Sequence, residues 1–214
     1  MQVNGPDHPE TNLAVCNLAN LFGETLGRRS DALPLFKRAF ESFSKTVGKS
    51  HQWALWAQLG MARNYSALGQ HEVAIPLSRS IYDELKTTLG GNHSLTLEAQ
   101  DGLALALGRS GQREEAESIF RQVIRLETEN SQADPVHRRV ARVYSNLAML
   151  LLDKGEFQEA ESLQRKSLVI HQQLNDNTRV AMDQVGLARV LLEQGKAAES
   201  EDDALLGNDV GFTL

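Results

Sequence analysis

Apolar residues recur at steps of three and four along most of the chain, and short polar breaks that contain glycine separate these stretches. Residues 140–151 show this period, Gly155 interrupts it, and residues 157–170 resume it. The period is typical of amphipathic α-helices, and no stretch shows the strict two-residue alternation of a half-buried strand. The pattern predicts an all-α protein built from antiparallel helix pairs, in which a glycine turn joins the first helix of each pair to the second.

The helical pattern is repeated along the sequence. A glycine followed five residues later by a small residue occurs five times, and successive glycines of this kind, the marker glycines, are 42, 42, 44 and 40 residues apart. An alanine, the marker alanine, stands seven residues before four of them, and a histidine stands eighteen residues before three of them. The pattern predicts stacked helix pairs, a solenoid of about five repeats. The marker glycines and their small residues are Gly27 with Ala32, Gly69 with Ala74, Gly111 with Ala116, Gly155 with Ala160, and Gly195 with Ser200; the marker alanines are Ala62, Ala104, Ala148 and Ala188; the histidines are His51, His93 and His137.

The first and last repeats depart from this register. In the first, Ala19 and His8 stand one residue earlier relative to Gly27, which predicts a one-residue insertion in the turn before that glycine. In the last, residues 197–206 are predicted to form a short second helix with an acidic run, which ends the array. The small residues after the marker glycines are predicted to lie where neighbouring helices approach most closely.

The segment Gly5-Pro6-Asp7-His8-Pro9-Glu10-Thr11 resembles the inter-repeat linker of tetratricopeptide repeats of the kinesin-light-chain-like type. Weaker copies of this linker lie at residues 48–51 and 89–97, and the core pattern of the repeat lies at residues 146–151 and 155–161. The resemblance implies a right-handed α-solenoid. The repeats are predicted at 5–47, 48–89, 90–133, 134–175 and 176–206, followed by a C-terminal tail at 207–214.

Composition and charge exclude several functional classes. The 22 Lys and Arg residues are outnumbered by 28 Asp and Glu residues, so the formal net charge is −6, and no dense basic cluster is present. This argues against a nucleic-acid or anionic membrane surface as partner. No apolar stretch approaches the ~18 residues of a membrane span, and the N-terminus lacks a signal-peptide pattern. We therefore predict a cytoplasmic protein.

The residues that could carry chemistry do not form a reactive site. The histidines His8, His51, His93 and His137 are predicted to be turn residues, because equivalent positions on helices about 8–10 Å apart are too distant to share one metal ion. His71 and His171 fall outside the register, and no partner is predicted for them. Cys16 lies among apolar positions and is predicted to be a small buried hydrophobe. No phosphate-binding glycine loop occurs. The chain is predicted to be no enzyme and to bind neither metal nor cofactor.

The resemblance implies a binding groove. In tetratricopeptide arrays the first helix of each repeat lines a concave surface, and the register places its inward positions six and three residues before the marker alanine and one after it. Trp and Arg are frequent hot spots in binding interfaces, and Met suits adaptable contacts. The predicted groove residues are Asn20, Trp56, Leu59, Arg63, Asp101, Leu105, Arg142, Ser145, Met149 and Arg189.

Because the repeat array carries no candidate catalytic or metal site, we predict a non-catalytic scaffold or adaptor that binds a peptide segment of a protein partner in this groove. Two alternatives remain open. The array starts at a linker after only four residues, which is typical of a fragment and favours a regulatory or sensor segment of a larger multidomain protein, for example a bacterial signalling enzyme. An uncapped terminal helix with an apolar face instead favours a self-association module, a homodimer.

Overall fold

The computed structural model describes residue 5, residues 7–130 and residues 138–195. Every regular element within these ranges is helical, so the predicted all-α architecture is confirmed for the part of the chain that is described. His137, Ser200, the predicted helix at 197–206 and the tail at 207–214 lie outside these ranges. The α-helices are α1 (Pro9–Asn20), α2 (Arg29–Thr46), α3 (Gln52–Ala67), α4 (His71–Leu89), α5 (Ser94–Arg109), α6 (Arg113–Asn130), α7 (Arg138–Lys154), α8 (Phe157–Gln173) and α9 (Asn177–Glu193), and a π-helical segment, Leu21–Thr25, follows α1.

The chain divides within α6 into two compact parts, an N-terminal part up to Ile119 and a C-terminal part from Phe120. In the N-terminal part, α2 packs on α1 and α3, and α4 packs on α3 and α5. In the C-terminal part, α8 packs on α7 and α9. First helices also contact each other within each part, α3 with α1 and α5, and α7 with α9. The second helices α2, α4 and α8 therefore each lie against the first helix of their own pair and that of the next.

The marker glycines end the first helices. Gly155 has a φ of 81°, a left-handed conformation that L-residues with a side chain rarely adopt. The N–H of Gly155 donates to the carbonyl of Leu152 at 3.0 Å, and the N–H of Glu156 donates to the carbonyl of Leu151 at 2.9 Å. This is the Schellman arrangement, which satisfies the last carbonyl groups of a helix. The other four marker glycines also have a positive φ, so the periodic glycine is a helix stop.

Histidines start the first helices, as predicted. Nδ1 of His51 accepts a hydrogen bond of 3.2 Å from the N–H of Trp53, and Nδ1 of His93 accepts one of the same length from the N–H of Leu95. His8 caps α1 in the same way. An acceptor at the N-cap satisfies one of the free N–H groups at the start of a helix. The prediction of a turn residue is confirmed for these three histidines.

The extra residue of the first repeat lies in a π-helical turn directly before Gly27, where the register predicts the insertion. The N–H of Leu26 donates to the carbonyl of Leu21 at 3.0 Å, five residues back, as in a π-helix. A π-helical turn holds one more residue than an α-helical turn over the same length. The π-segment absorbs the insertion, and Gly27 still ends the helix with a φ of 66°.

Ion pairs connect successive second helices. Arg79 of α4 contacts Glu115 of α6 at 2.6 Å in the N-terminal part, and Arg121 of α6 contacts Glu159 of α8 at 2.6 Å in the C-terminal part. Both pairs use the same register, an arginine ten residues after a marker glycine and a glutamate four residues after the next one. We call these two pairs the second-helix pairs. The charge pattern of the sequence contains this signal, which the sequence analysis missed.

Candidate functional site

The predicted groove residues all lie on first helices, and their exposure divides them into two groups. Leu59 on α3 and Asp101 on α5 are 0% and 1% exposed. Leu59 packs so close to Gly102 that a Cβ there would lie 3.3 Å from Cδ1 of Leu59. Both residues belong to the packing between helices, and we leave them out of the binding surface. The remaining eight are partly buried or exposed, and we call them the first-helix face: Asn20, Trp56, Arg63, Leu105, Arg142, Ser145, Met149 and Arg189.

Arg63 is held by carboxylates of its own chain. Its side chain is 16% exposed and forms a short ion pair with Glu98 of α5, and its Nη1 lies 3.6 Å from Oε1 of Glu24 in the π-segment. Burial alone would lower the pKa of the Arg63 guanidinium, but the charges of Glu98 and Glu24 more than offset this, so the pKa is raised. Arg63 therefore joins three helical segments, and its charge is already balanced within the N-terminal part.

The apolar residues of this face in the N-terminal part are half-buried. Trp56 packs against the core cluster that α1, α2 and α3 form around Phe36 and Phe43. Leu105 on α5 lies partly exposed at the equivalent face of the next first helix. A large, partly accessible aromatic ring that is anchored in a core loses little conformational entropy on binding, which is the character of an interface hot spot.

In the C-terminal part, α7 and α9 carry the face. Arg142, Ser145 and Met149 on α7 are partly covered, and Ser145 exchanges hydrogen bonds of 3.3 to 3.4 Å with the side chain of Gln164 on α8. Arg189 on α9 is half-exposed, and its Nη2 lies 3.5 Å from Oδ1 of Asp153 on α7. An ion pair this exposed is worth little in stability, so the Arg189 charge stays available to a binding partner.

The described residues hold no metal-ligand cluster, and the one cysteine is buried. Within residues 5, 7–130 and 138–195, no group of three or more His, Cys, Asp or Glu side chains is placed to hold a metal ion. Burial raises the pKa of the Cys16 thiol to about 12, so the thiol stays protonated near neutral pH and is a poor nucleophile. This agrees with its predicted place as a small buried hydrophobe. The chemistry that the face offers is the burial of apolar surface and ionic contact.

A cluster of buried polar side chains, which includes His171, lies between α8 and α9. Nδ1 of His171 lies 2.7 Å from Oδ2 of Asp183, a contact that the sequence did not predict. Ser167 and Gln164 also donate to the Asp183 carboxylate. The signal for this cluster was the replacement of apolar core positions of α2 and α3 by polar residues at the same register of α8 and α9. Phe36, Ala39, Phe43 and Ala57 are replaced by Gln164, Ser167, His171 and Asp183.

Comparison with protein families identifies the repeat. A model of the tetratricopeptide repeat matches residues 11–83 and 139–204, and a second tetratricopeptide repeat model matches residues 96–129. The chain belongs to the tetratricopeptide repeat family. Among curated protein sequences there is no significant match. No tetratricopeptide helix that the structure describes combines the length and apolar character needed to cross a bilayer.

Solved structures share the tetratricopeptide fold. Kinesin-light-chain-type repeats from Podosopora anserina match with a TM-score of 0.65 and 24% identity, over 95% of this chain and 96% of theirs. The Rap conjugation gene regulator of plasmid pLS20, solved with the Phr* peptide, matches with a TM-score of 0.76 and 18% identity, over 94% of this chain and 52% of its own. Bacillus thuringiensis PlcR, solved with the peptide PapR7 and DNA, matches with a TM-score of 0.67 and 12% identity, over 94% of this chain and 70% of its own. The predicted fold class, an all-α solenoid of kinesin-light-chain-like tetratricopeptide type, is confirmed.

Proposed function

We propose that this tetratricopeptide chain is a non-catalytic interaction module, and that a peptide segment of a partner protein binds to its first-helix face. The observation that carries the proposal is that the first helices within each part carry partly accessible apolar and charged side chains, Trp56 and Leu105 in the N-terminal part and Met149 and Arg189 in the C-terminal part. Such a mixture of anchoring apolar groups and orienting charges suits peptide recognition.

The solved neighbours support this proposal. The Rap regulator and PlcR have the same fold, and both were solved with a bound peptide. The acidic net charge of −6 supports a protein partner over a nucleic acid, because nucleic-acid affinity depends on dense positive charge. A cytoplasmic location and a scaffold or adaptor role are parts of the proposal.

A selection from a phage-displayed library of random peptides tests the proposal. Peptides that bind the full chain are labelled, and their affinities are measured by fluorescence anisotropy for the parent and for the variants Leu105→Glu and Met149→Glu. We expect at least one of these variants to bind a selected peptide about tenfold more weakly, because a buried carboxylate would lose its hydration.

The control is Leu26→Glu, which makes the same change at an exposed leucine outside the first-helix face. It should leave every affinity unchanged, and a thermal melt of each variant should show the chain folded. A library that yields no binder, or binders that tolerate both face variants as well as the control, would contradict the proposal.

A second candidate function is a regulatory segment of a larger protein. The observation in its favour is that the chain spans about half the length of the Rap regulator that it matches. The mass of the native protein in its source cells, measured by immunoblot and mass spectrometry, tests it. A mass well above 23.7 kDa would support the regulatory segment, and a mass of 23.7 kDa would remove it.

A further inference from the structure

One row of side chains along α1 is left uncovered. Leu18 and Leu21 are 43% and 46% exposed, Ala14 is exposed, and Thr11 is partly buried. Their positions differ by three, four and three residues, so the four side chains lie on one side of the helix. None of them is a predicted groove residue. We call these four residues the α1 row.

On later first helices the same row is buried. Its positions lie eight, five and one residues before the marker alanine and two after it, and Ala19 takes the place of the marker alanine in α1. On α5, α7 and α9 no residue at these positions is more than 8% exposed. The α1 row repeats the first three residue types of the α5 row, whereas the end of a solenoid needs a polar outer face to close it. The α1 row is therefore typical of an inner helix of the array. The residues of the α5 row are Thr96, Ala99, Leu103 and Ala106.

On α3, α5 and α9 a second helix covers this row. Ala57 on α3 lies in one core cluster with Phe43 of α2, and Ala99 on α5 lies in another with Leu85 of α4. On α9 the equivalent residue, Asp183, accepts hydrogen bonds from α8. In all three cases the covering element is the α-helix that precedes the first helix in the chain. The element that suits the α1 row is therefore also an α-helix.

The start of α2 carries the charge that a covering helix would meet. In both second-helix pairs, an arginine ten residues after one marker glycine contacts a glutamate four residues after the next. Asp31 stands four residues after Gly27, which is the acidic position of this register. The Asp31 side chain is 51% exposed, and its carboxylate contacts Arg28 at 2.7 Å. Because a carboxylate accepts more than one hydrogen bond, a basic residue on a covering helix can also contact Asp31.

We propose that the α1 row docks an amphipathic α-helix of a partner protein, packed on α1 as α4 packs on α5, with a basic residue opposite Asp31. Exposed apolar side chains gathered in one place mark an interaction site, and the three covered rows identify its occupant as a helix. Asp31 sets the sign of the charge on that helix. The α1 row shares no residue with the first-helix face, so this inference goes beyond the proposed function.

A synthetic peptide with the sequence of α4, His71–Leu89, is the probe for the α1 row. In the chain α4 covers a row of similar residues on α5, and its Arg79 has the basic position of the second-helix pairs. A lactam bridge between Asp83 and the lysine of Thr87→Lys, two positions that are exposed on α4, keeps the peptide helical. We expect the full chain to bind the fluorescein-labelled peptide about fivefold more tightly than the same peptide with Arg79→Glu. Asp31→Arg in the full chain should reverse this preference.

A second pair of variants separates the α1 row from the rest of the surface. Leu18→Glu should weaken binding of the α4 peptide about tenfold without lowering the melting temperature, because Leu18 is exposed in the free chain. Val169→Glu adds the same charge at a half-exposed apolar residue on α8 and should leave the affinity unchanged.

Two binding results would overturn the inference: no binding of the α4 peptide, or equal affinity for the parent and Leu18→Glu. Two other results would give the α1 row a different occupant and also overturn it. A parent that sediments as a dimer while Leu18→Glu is a monomer would assign the row to a second copy of the chain. A native protein from the source cells that is larger than 23.7 kDa and does not bind the peptide would assign the row to a helix of the same chain.

The proposed function is judged apart from these results. Library peptides that bind the parent and Leu18→Glu equally, but lose affinity for Leu105→Glu or Met149→Glu, would support the first-helix face without the α1 row. Binding of the α4 peptide that depends on Leu18 and Asp31, from a chain for which the library yields no binder, would support the α1 row without the first-helix face.

Discussion

His171 and Asp183 form a buried contact of 2.7 Å between α8 and α9, with 1% and 2% of the two residues exposed. The Ser167 hydroxyl donates to the same carboxylate oxygen at 2.8 Å, and the Gln164 amide donates to the other oxygen at 2.9 Å. Because a carboxylate only accepts hydrogen bonds, the geometry places the Nδ1 proton on His171. Three donors on α8 thus converge on one acceptor on α9.

Replacement of Asp183 by alanine should strongly destabilise the C-terminal part. Asp183→Ala removes the carboxylate that the His171 ring and the Ser167 hydroxyl contact, whereas Gln164 keeps the backbone carbonyl of residue 183 and the Ser145 hydroxyl as acceptors. We expect a cost of about 1–3 kcal/mol for each buried donor that is left unsatisfied. The free energy of unfolding in urea, followed by circular dichroism, measures the loss. A loss below about 1 kcal/mol would mean that the cluster contributes little.

The helices α2 and α3 supply a matched rescue for Asp183→Ala. Their residues at the same register form an apolar core, and Gly60 makes room for the Phe36 ring as Gly186 does for Gln164. We expect the transplanted apolar set to recover most of the lost stability, since well-packed apolar residues often replace buried ionic groups without loss. A rescue variant that is no more stable than Asp183→Ala alone would contradict this. The rescue variant carries Gln164→Phe, Ser167→Ala, His171→Phe and Asp183→Ala.

The two second-helix pairs predict that a third pair is missing between α2 and α4. In the first repeat Lys37 stands ten residues after Gly27, but the position four residues after Gly69 is an exposed valine, Val73. Val73→Glu should create the pair and stabilise the chain by about 0.2–1 kcal/mol, and the gain should fall in 1 M salt, where the screening length is about 3 Å. Thermal unfolding at low and high salt measures it. The same gain in a Lys37→Ala background would show that the pair is not its cause.

Gly60 and Gly102 occupy the same register position in successive repeats, and their replacement by alanine should change the free energy of unfolding differently. A Cβ on Gly60 would lie 2.3 Å from the buried Phe36 ring, so Gly60→Ala should cost about 1–3 kcal/mol or more. A Cβ on Gly102 would lie 3.3 Å from Leu59, and Gly102→Ala should be neutral or gain up to about 1 kcal/mol from helix propensity. The cause is the atom that the new Cβ meets, the buried Phe36 ring at Gly60 and the end of the Leu59 side chain at Gly102. Equal unfolding free energies of the two variants would contradict this account.

Sequence alone was sufficient to predict the features that are local to one repeat. The glycine at Gly155 ends a helix because of its own φ, and the histidine at His93 starts one because its ring reaches a backbone N–H two residues away. The recurrence of apolar residues at steps of three and four predicted the apolar face of each helix. The linker residues indicated the tetratricopeptide family. These features depend on contacts within a few residues, which a pattern in the sequence encodes directly.

Tertiary structure decided what each helical face meets. Arg63 finds Glu98 thirty-five residues away, and His171 finds Asp183 twelve residues away across a turn, so no local pattern showed either pair. The period placed Leu59 on the groove side, and the close approach of Gly102 buried it. In the sequence the insertion appears as a shift of one residue in the register. The structure shows it as a π-helical turn, in which Gly23 packs close to Asn64 and Ala32. A helical period specifies the direction of a side chain, whereas its burial and its charge partner depend on the neighbouring helix.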